Sequence, residues 1–337
     1  MMRAGMMLGL LAGCATEPTT TLGLDARPVA SRCLGSVEPP AQLSAHPCID
    51  PSTLRPTREL VPYGVNAPLW SDGAEKFRYI ALPEESYFVI DERGAWELPP
   101  DGVLIKEFER DGQRFETRFV VRDRGGAYRF YTYAFLDGNG EATRVDQGIE
   151  LTTTSTPWTV PSEEQCQQCH SSANLVLGLQ TGQLDRRWRY PSTGRTADQL
   201  ETLRSIDFVR GLEPAPIEFP AYDDERAPIA TRARAYLHVN CSSCHRPRGA
   251  AIGNVDFRAH VPLAGMSICD QRPDFGDWTE GGDGVLLAPG APQRSLLFLR
   301  ATTTDPLLRM EPVSREQTDP DAEHLLRGWI GALRSCE

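Results

Sequence analysis

The sequence is poor in lysine and in long apolar segments. Lys76 and Lys106 are the only lysines among 35 lysine and arginine residues, and the formal net charge is −11. This acidic balance excludes nucleic acid as an expected partner, because nucleic-acid-binding proteins present basic surfaces. It suits a protein partner with a basic docking patch. Beyond the N-terminus, no run approaches the roughly 18 apolar residues that a transmembrane helix needs.

The N-terminus is the exception to this lack of apolar runs. Residues 1–13 contain Arg3 and then a short apolar stretch, which is typical of a secretion signal. Leu11-Ala12-Gly13-Cys14 fits a bacterial lipobox with cleavage before Cys14, so lipidation at Cys14 would anchor the protein to a membrane. No aspartate follows Cys14 to indicate retention at the inner membrane, so we expect the outer membrane. An ordinary secretion signal is the alternative.

Two pentapeptides have the pattern Cys-x-x-Cys-His, CQQCH at 166–170 and CSSCH at 241–245. This is the attachment signature of c-type haem: two thiols bind one porphyrin and the histidine binds its iron. The sequence therefore predicts two covalently bound haem c groups. The predicted thioether cysteines are Cys166, Cys169, Cys241 and Cys244, and the predicted iron ligands are His170 and His245.

Zinc and redox chemistry are the alternatives for these cysteines. Zinc ribbons usually separate their cysteine pairs by about 15–20 residues, whereas Cys166 and Cys241 lie 75 residues apart. Zinc also leaves the histidine after each pair unexplained. A Cys-x-x-Cys pair alone suits a reactive dithiol.

Four further cysteines point to an oxidising compartment. Cys33, Cys48, Cys269 and Cys336 are left after Cys14 and the haem motifs, and an even remainder in an exported protein predicts two disulfides. Three pairings are possible. We favour Cys33–Cys48 and Cys269–Cys336, because each pair falls within one predicted unit.

The chain divides into five units. They are a signal peptide (1–13), a tether and irregular segment (14–59), a β domain (60–160), a first haem c region (161–226) and a second haem c domain (227–337). In the β domain, Asp111-Gly112 between two strand-like runs predicts a hairpin. We expect its aromatic residues to pack a core. The acidic stretches 223–225 and 274–283 match no EF-hand loop and are expected to be solvated.

Helix signals are concentrated after residue 160. Ser162 can cap a helix that carries the first motif, Thr196 or Asp198 can start a second helix, and 230–240 leads into Cys241. Residues 324–333 predict an amphipathic C-terminal helix. The expected fold is thus multidomain α+β: a sandwich-like or barrel-like antiparallel β domain, then mostly α-helical cytochrome c haem domains.

Methionine is scarce, which restricts the choice of distal ligand for each haem iron. Outside the signal, only Met266 and Met310 occur. Met310 precedes the C-terminal helix, as in a class I cytochrome c, and is the predicted distal ligand of the second haem. The first haem has no obvious partner. Its candidates are Met266, His46, His238, His260 and His324, and an open sixth position is the alternative.

Taken together, these segments resemble a family of bacterial di-haem c-type cytochrome lipoproteins of undefined role, often encoded beside a parallel β-helix repeat protein. The resemblance spans 61–330. Besides the haem motifs it is carried by NAPLWSDGAEKFRYIALP (66–83), DGVLIKEF (101–108), FETRFVVRD (115–123), ARAYLHVNCSSCH (233–245), PGAPQRSLL (289–297) and RMEP (309–312). His238 departs from the more often acidic residue of similar sequences, and Met310-Glu311-Pro312 departs from the usual Met-Pro pair.

The resulting functional expectation is electron transfer in the bacterial envelope by a lipid-anchored di-haem cytochrome, with a redox protein as partner. A peroxidase-like haem enzyme with one open iron is the first alternative. A surface binding or assembly protein with accessory haems is the second. The sequence favours a carrier over a catalyst and predicts no catalytic residue.

Overall fold

A computed structural model describes residues 21–136, 140–151, 157–170, 176–274, 284–312 and 315–336. Its strands are β1 (Ile49–Asp50), β2 (Arg55–Pro56), β3 (Val61–Tyr63), β4 (Glu75–Ala81), β5 (Val89–Ile90), β6 (Trp96–Glu97), β7 (Val103–Arg110), β8 (Gln113–Arg122), β9 (Tyr128–Ala134), β10 (Thr143–Val145), β11 (Ile149–Leu151), β12 (Trp158–Val160), β13 (Arg187–Arg189) and β14 (Thr196–Asp198). Its α-helices are α1 (Glu163–Cys169), α2 (Thr181–Leu184), α3 (Gln199–Ser205), α4 (Ile229–Asn240), α5 (Leu296–Ala301) and α6 (Pro320–Ala332). Three single-turn 3₁₀ helices cover Leu43–Ala45, Leu263–Gly265 and Pro292–Arg294.

The largest element is a six-stranded antiparallel sheet in the order β10-β9-β8-β7-β4-β3. The predicted hairpin is confirmed, since Asp111 and Gly112 connect β7 to β8 and both have positive φ. Four two-stranded sheets pair β1 with β2, β5 with β6, β11 with β12 and β13 with β14.

Different parts of the chain cover the two faces of this sheet. One face packs against residues 30–49, where the Cys33–Cys48 disulfide is fully buried with Phe119 and Val121. The other face packs partly against residues 176–209, which share one apolar core with Ile80 and Leu104. Because side chains alternate along a strand, neighbouring residues of β7 and β8 enter opposite cores.

A third core lies near the C-terminus. Helices α4 and α6 pack together around Leu237, Leu326 and Trp329. The second disulfide, Cys269–Cys336, ties the end of the chain to the loop after α4, with 6.1 Å between the Cα atoms. Both disulfides have the pairing favoured from the sequence.

The expected fold class is wrong in two respects. The β region is one open sheet with small hairpins, not a sandwich or barrel. The haem regions are not mostly α-helical either: among the described residues, 161–226 contain three helices of four to seven residues and a β-hairpin, and later helices reach at most 13 residues. The physical reason is that residues 176–209 obtain their core from the sheet, so they need no helical bundle to bury apolar surface.

Candidate functional site

The first motif lies on a short capped helix against the sheet. Ser162 accepts a hydrogen bond from the Gln165 amide (3.2 Å), and the Gln165 side chain accepts one from the Ser162 amide (2.9 Å). The helix cap predicted at Ser162 is confirmed, and the reciprocal bond from Gln165 makes it a capping box that fixes where α1 begins. His170 ends the helix, its amide bonded to the Cys166 carbonyl, and its ring centroid lies 4.9 Å from that of Phe130 on β9.

The second motif continues directly from α4, as predicted. The His245 amide donates to the Cys241 carbonyl (2.9 Å), which closes the turn that carries the motif. The His245 ring meets Phe257 edge-on at 5.4 Å. Its Nδ1 is buried and has no hydrogen-bond partner within the described chain. The turn thus presents an imidazole with unused bonding capacity.

Both motifs open onto one cavity of about 710 Å³. Cys169 and Cys244 meet there through a side-chain hydrogen bond, and the Cys244 sulfur lies 3.7 Å from the Gln168 carbonyl. All four motif cysteines are free thiols. Motif spacing does not predict how the two motifs lie relative to each other; in the fold they line the same cavity.

Thiol acidity argues against a reactive dithiol in the first motif. Burial raises the pKa of Cys166, and the hydrogen bond to Cys244 together with burial raises that of Cys169. A reactive dithiol needs the opposite shift, because the thiolate is the nucleophile. In the second motif burial raises the pKa of Cys241, while the bond from Cys169 lowers that of Cys244. Within the described ranges, no group of three or more His, Cys, Asp or Glu side chains is arranged to hold a metal ion.

Met310 also lines the cavity, on the segment between α5 and α6. Its amide donates to the Arg300 carbonyl (2.9 Å), and its carbonyl accepts from the Arg315 guanidinium. The neighbouring Glu311 is partly buried, and its desolvation raises its pKa to about 8. The backbone on both sides of the thioether is therefore held in place.

The other candidate iron ligands lie away from this cavity. His46 sits on the opposite face of the sheet, with its ring 4.5 Å from Phe119. Met266 is fully buried in the core around α4 and α6, and the Nδ1 of His238 accepts from the Ala259 amide (3.1 Å). His260 and His324 are exposed. Of the described histidines and methionines, the cavity is lined by those of the two motifs and by Met310.

A wall of the cavity comes from the sheet, which sequence reasoning did not foresee. Lys106, Arg118, Phe130 and Thr132 on β7, β8 and β9 line it. Phe130 was expected to pack a core; it is buried, but it lines the cavity with its ring beside that of His170. The sequence contained one signal of this wall. Lys106 lies on the same face of its strand as the apolar residues at 104 and 108, so it places a charge among inward-facing positions.

The loop before β4 connects the sheet to both cavity segments. The Trp70 amide donates to the Asn240 side chain at the end of α4 (2.8 Å). The buried Asp72 carboxylate accepts from the amides of Glu316 (2.8 Å) and Gln317 (3.0 Å). This loop therefore fixes the second motif and the Met310 segment relative to the sheet.

Two predictions fall partly or wholly outside the described residues. The signal peptide and Cys14 lie outside them, as does most of the 274–283 acidic stretch. In the other acidic stretch, Asp223 and Glu225 are exposed, and the partly buried Asp224 pairs with Arg226 (2.7 Å). No helix within the described ranges is long and apolar enough to cross a membrane. Comparison with family models, curated proteins and solved structures gave no match.

Proposed function

We propose that the protein is a di-haem c-type cytochrome that transfers single electrons in the bacterial envelope. The observation that carries this proposal is the convergence of both Cys-x-x-Cys-His turns and Met310 on one cavity. Four free thiols in two pairs, each followed by an imidazole, are the donor set that covalent haem attachment requires. The buried Nδ1 of His245 has no hydrogen-bond partner among the described residues, which also supports an imidazole that serves a bound group.

The cysteines would attach the haems, and the histidines and Met310 would bind their irons. Cys166 and Cys169 would hold one haem and Cys241 and Cys244 the other, and the haems supply one-electron redox chemistry of iron. His170 and His245 would supply nitrogen ligands, and Met310 a thioether, which raises a reduction potential relative to bis-histidine ligation.

The apolar surroundings would act on these ligands. Leu104, Phe130, Phe257 and Leu296 line the cavity and restrict water around the histidines. A low local dielectric disfavours additional charge, which also raises the potential. Because the motifs meet at Cys169 and Cys244, electrons would pass within one cavity rather than between separate domains.

A haem enzyme is the second candidate, and one observation favours it. Met310 is the single methionine on the cavity wall among the described residues, and no described histidine beyond the two motifs reaches it. One iron would then keep an open position. Carbon monoxide added to the reduced, haem-loaded protein separates the two candidates: an unchanged visible spectrum supports the carrier, and a shift in about half of the haem supports the enzyme.

Location and partner complete the proposal. Cys14 would carry the lipid anchor at the outer membrane, and the acidic chain would meet a redox protein through that protein's basic patch. We also propose membership of the di-haem lipoprotein family that the sequence resembles. Fractionation of cells making Cys14→Ser tests the anchor: release from the membrane fraction is expected, and a variant wholly retained there contradicts it.

A further inference from the structure

Three cationic residues lie side by side on the inner face of the sheet. The register places Arg78 opposite Lys106 and Lys106 opposite Arg118, across β4, β7 and β8. Thr132 on β9 continues the row. Like charges directly opposite each other destabilise a sheet, so this row requires compensation from outside the strands.

Among the described residues, the outer members of the row have hydrogen-bond partners and the middle one has none. Arg118 forms two hydrogen bonds with Glu116, at 2.5 and 2.9 Å. Arg78 donates to the Lys76 carbonyl (3.2 Å). Lys106 forms no hydrogen bond or ion pair with any residue in the described ranges, and its nearest aromatic ring, Phe108, is 5.8 Å away.

The Lys106 side chain is partly buried, and it lines the cavity beneath the sheet. Burial, with Arg78 and Arg118 nearby, lowers its pKa to about 7. An uncompensated buried ammonium costs several kcal/mol or loses its proton. The other lysine, Lys76, donates to the Leu69 carbonyl and the Ser71 hydroxyl, whereas Lys106 donates to no residue in the described part of the chain.

The described cavity wall as a whole, with Lys106 included, carries excess positive charge. Its cations are Lys106, Arg118, Arg300 and Arg315, and its carboxylates are Glu311 and Asp274. The guanidinium groups of Arg300 and Arg315 already donate to backbone carbonyls. Among the described cations of the cavity wall, Lys106 is thus the one without a hydrogen bond or ion pair to a described residue, and the excess positive charge favours an anionic guest.

We propose that Lys106, beside the Arg118–Glu116 pair, is the anion site of this cavity and binds a propionate carboxylate of a porphyrin. This inference rests on the proposed function and extends it, because it makes the β-sheet part of the cofactor site. A free small anion such as phosphate has the same charge and acceptor chemistry, so the experiment must distinguish the two sources.

The test compares Lys106→Leu, Lys106→Arg and a charge control in the haem-loaded full chain. Arg129→Leu is the control, because Arg129 neighbours Phe130 on β9 but points to the other face, where it pairs with Glu38 (3.1 Å). The measurements are potentiometric titration of both haems and the propionate bending bands of the resonance Raman spectrum. They do not depend on any catalytic activity.

We expect Lys106→Leu to lower the midpoint potential of one haem and to shift its propionate band. A nearby positive charge favours the reduced iron, so removing it favours the oxidised form. Lys106→Arg and Arg129→Leu should titrate like the wild type. Unchanged potentials and bands in Lys106→Leu would overturn the inference.

Two other outcomes would also overturn it. Carbon monoxide binding gained only in Lys106→Leu would make the amine an iron ligand. A wild-type potential that depends on phosphate concentration, with the dependence lost in Lys106→Leu, would assign the site to a free anion. Absence of haem bands in every form would instead refute the proposed function, so the two failures are distinguishable.

Discussion

Asp72 offers a sharp test of how the sheet holds the Met310 segment. Its carboxylate is 1% exposed and accepts two amide hydrogen bonds, from Glu316 and Gln317. Hydrogen bonds to a charged group contribute about 1.5–3 kcal/mol each. Asp72→Gly should therefore lose about 3–6 kcal/mol of unfolding free energy, and Asp72→Asn, which keeps one acceptor, roughly half of that.

The backbone at Asp72 dictates the choice of substitutions. Its φ is 48°, in the left-handed region that glycine and asparagine tolerate. Asp111→Gly is the matched control, because Asp111 has φ 52° in the β7–β8 turn and makes no side-chain hydrogen bond with a described residue. The control should stay within about 1 kcal/mol of the wild type.

Urea unfolding gives the stability difference, and amide hydrogen exchange localises it. Protection should fall first at Glu316 and Gln317 in Asp72→Gly and should be unchanged there in Asp111→Gly. If Asp72→Gly unfolds within about 1 kcal/mol of its control, with both amides still protected, the two hydrogen bonds do not hold this segment.

Three further predictions concern separate parts of the molecule. Burial lowers the pKa of His46 to about 4, against 6.5 in the unfolded chain, so the contribution of neutral His46 to stability is fully present above pH 6.5 and is lost as pH falls towards 4. Urea unfolding should show a loss of about 2 kcal/mol in unfolding free energy between pH 7 and pH 5, and His46→Gln should abolish this loss. The same pH dependence of unfolding free energy in both proteins would refute the prediction. Met310→Ala should lower one haem potential and allow carbon monoxide to bind that haem, whereas unchanged voltammetry would remove Met310 as a ligand. Replacing both Cys33 and Cys48, which close a loop of 15 residues, by alanine should cost about 3 kcal/mol, and a wild type equally stable in dithiothreitol would contradict this.

Local features of the structure were predictable where the signal lay within a few residues. Ser162 caps α1 because its hydroxyl can reach the amide three residues on, and Asp198 caps α3 in the same way. Asp111-Gly112 forms the hairpin because both residues accept positive φ. These interactions are encoded by neighbouring residues, so a single sequence reveals them.

Long-range packing was not predictable in the same way. Residues 176–209 are separated from β4 and β7 by about a hundred residues, yet they share one core with Ile80. The sequence therefore suggested a self-contained helical unit where the sheet supplies the packing surface. The encounter of Cys169 with Cys244 and the position of Lys106 on the cavity wall depend on the same packing, so neither followed from motif spacing.

Haem stoichiometry tests the central claim most directly. The full chain, produced with a c-type haem maturation system, should give two haems per chain in the pyridine haemochrome spectrum. Replacing both cysteines of either motif by alanine, Cys166 with Cys169 or Cys241 with Cys244, should each leave one. A wild-type protein without haem bands, or one whose haem content is unaffected by either double variant, would contradict the account.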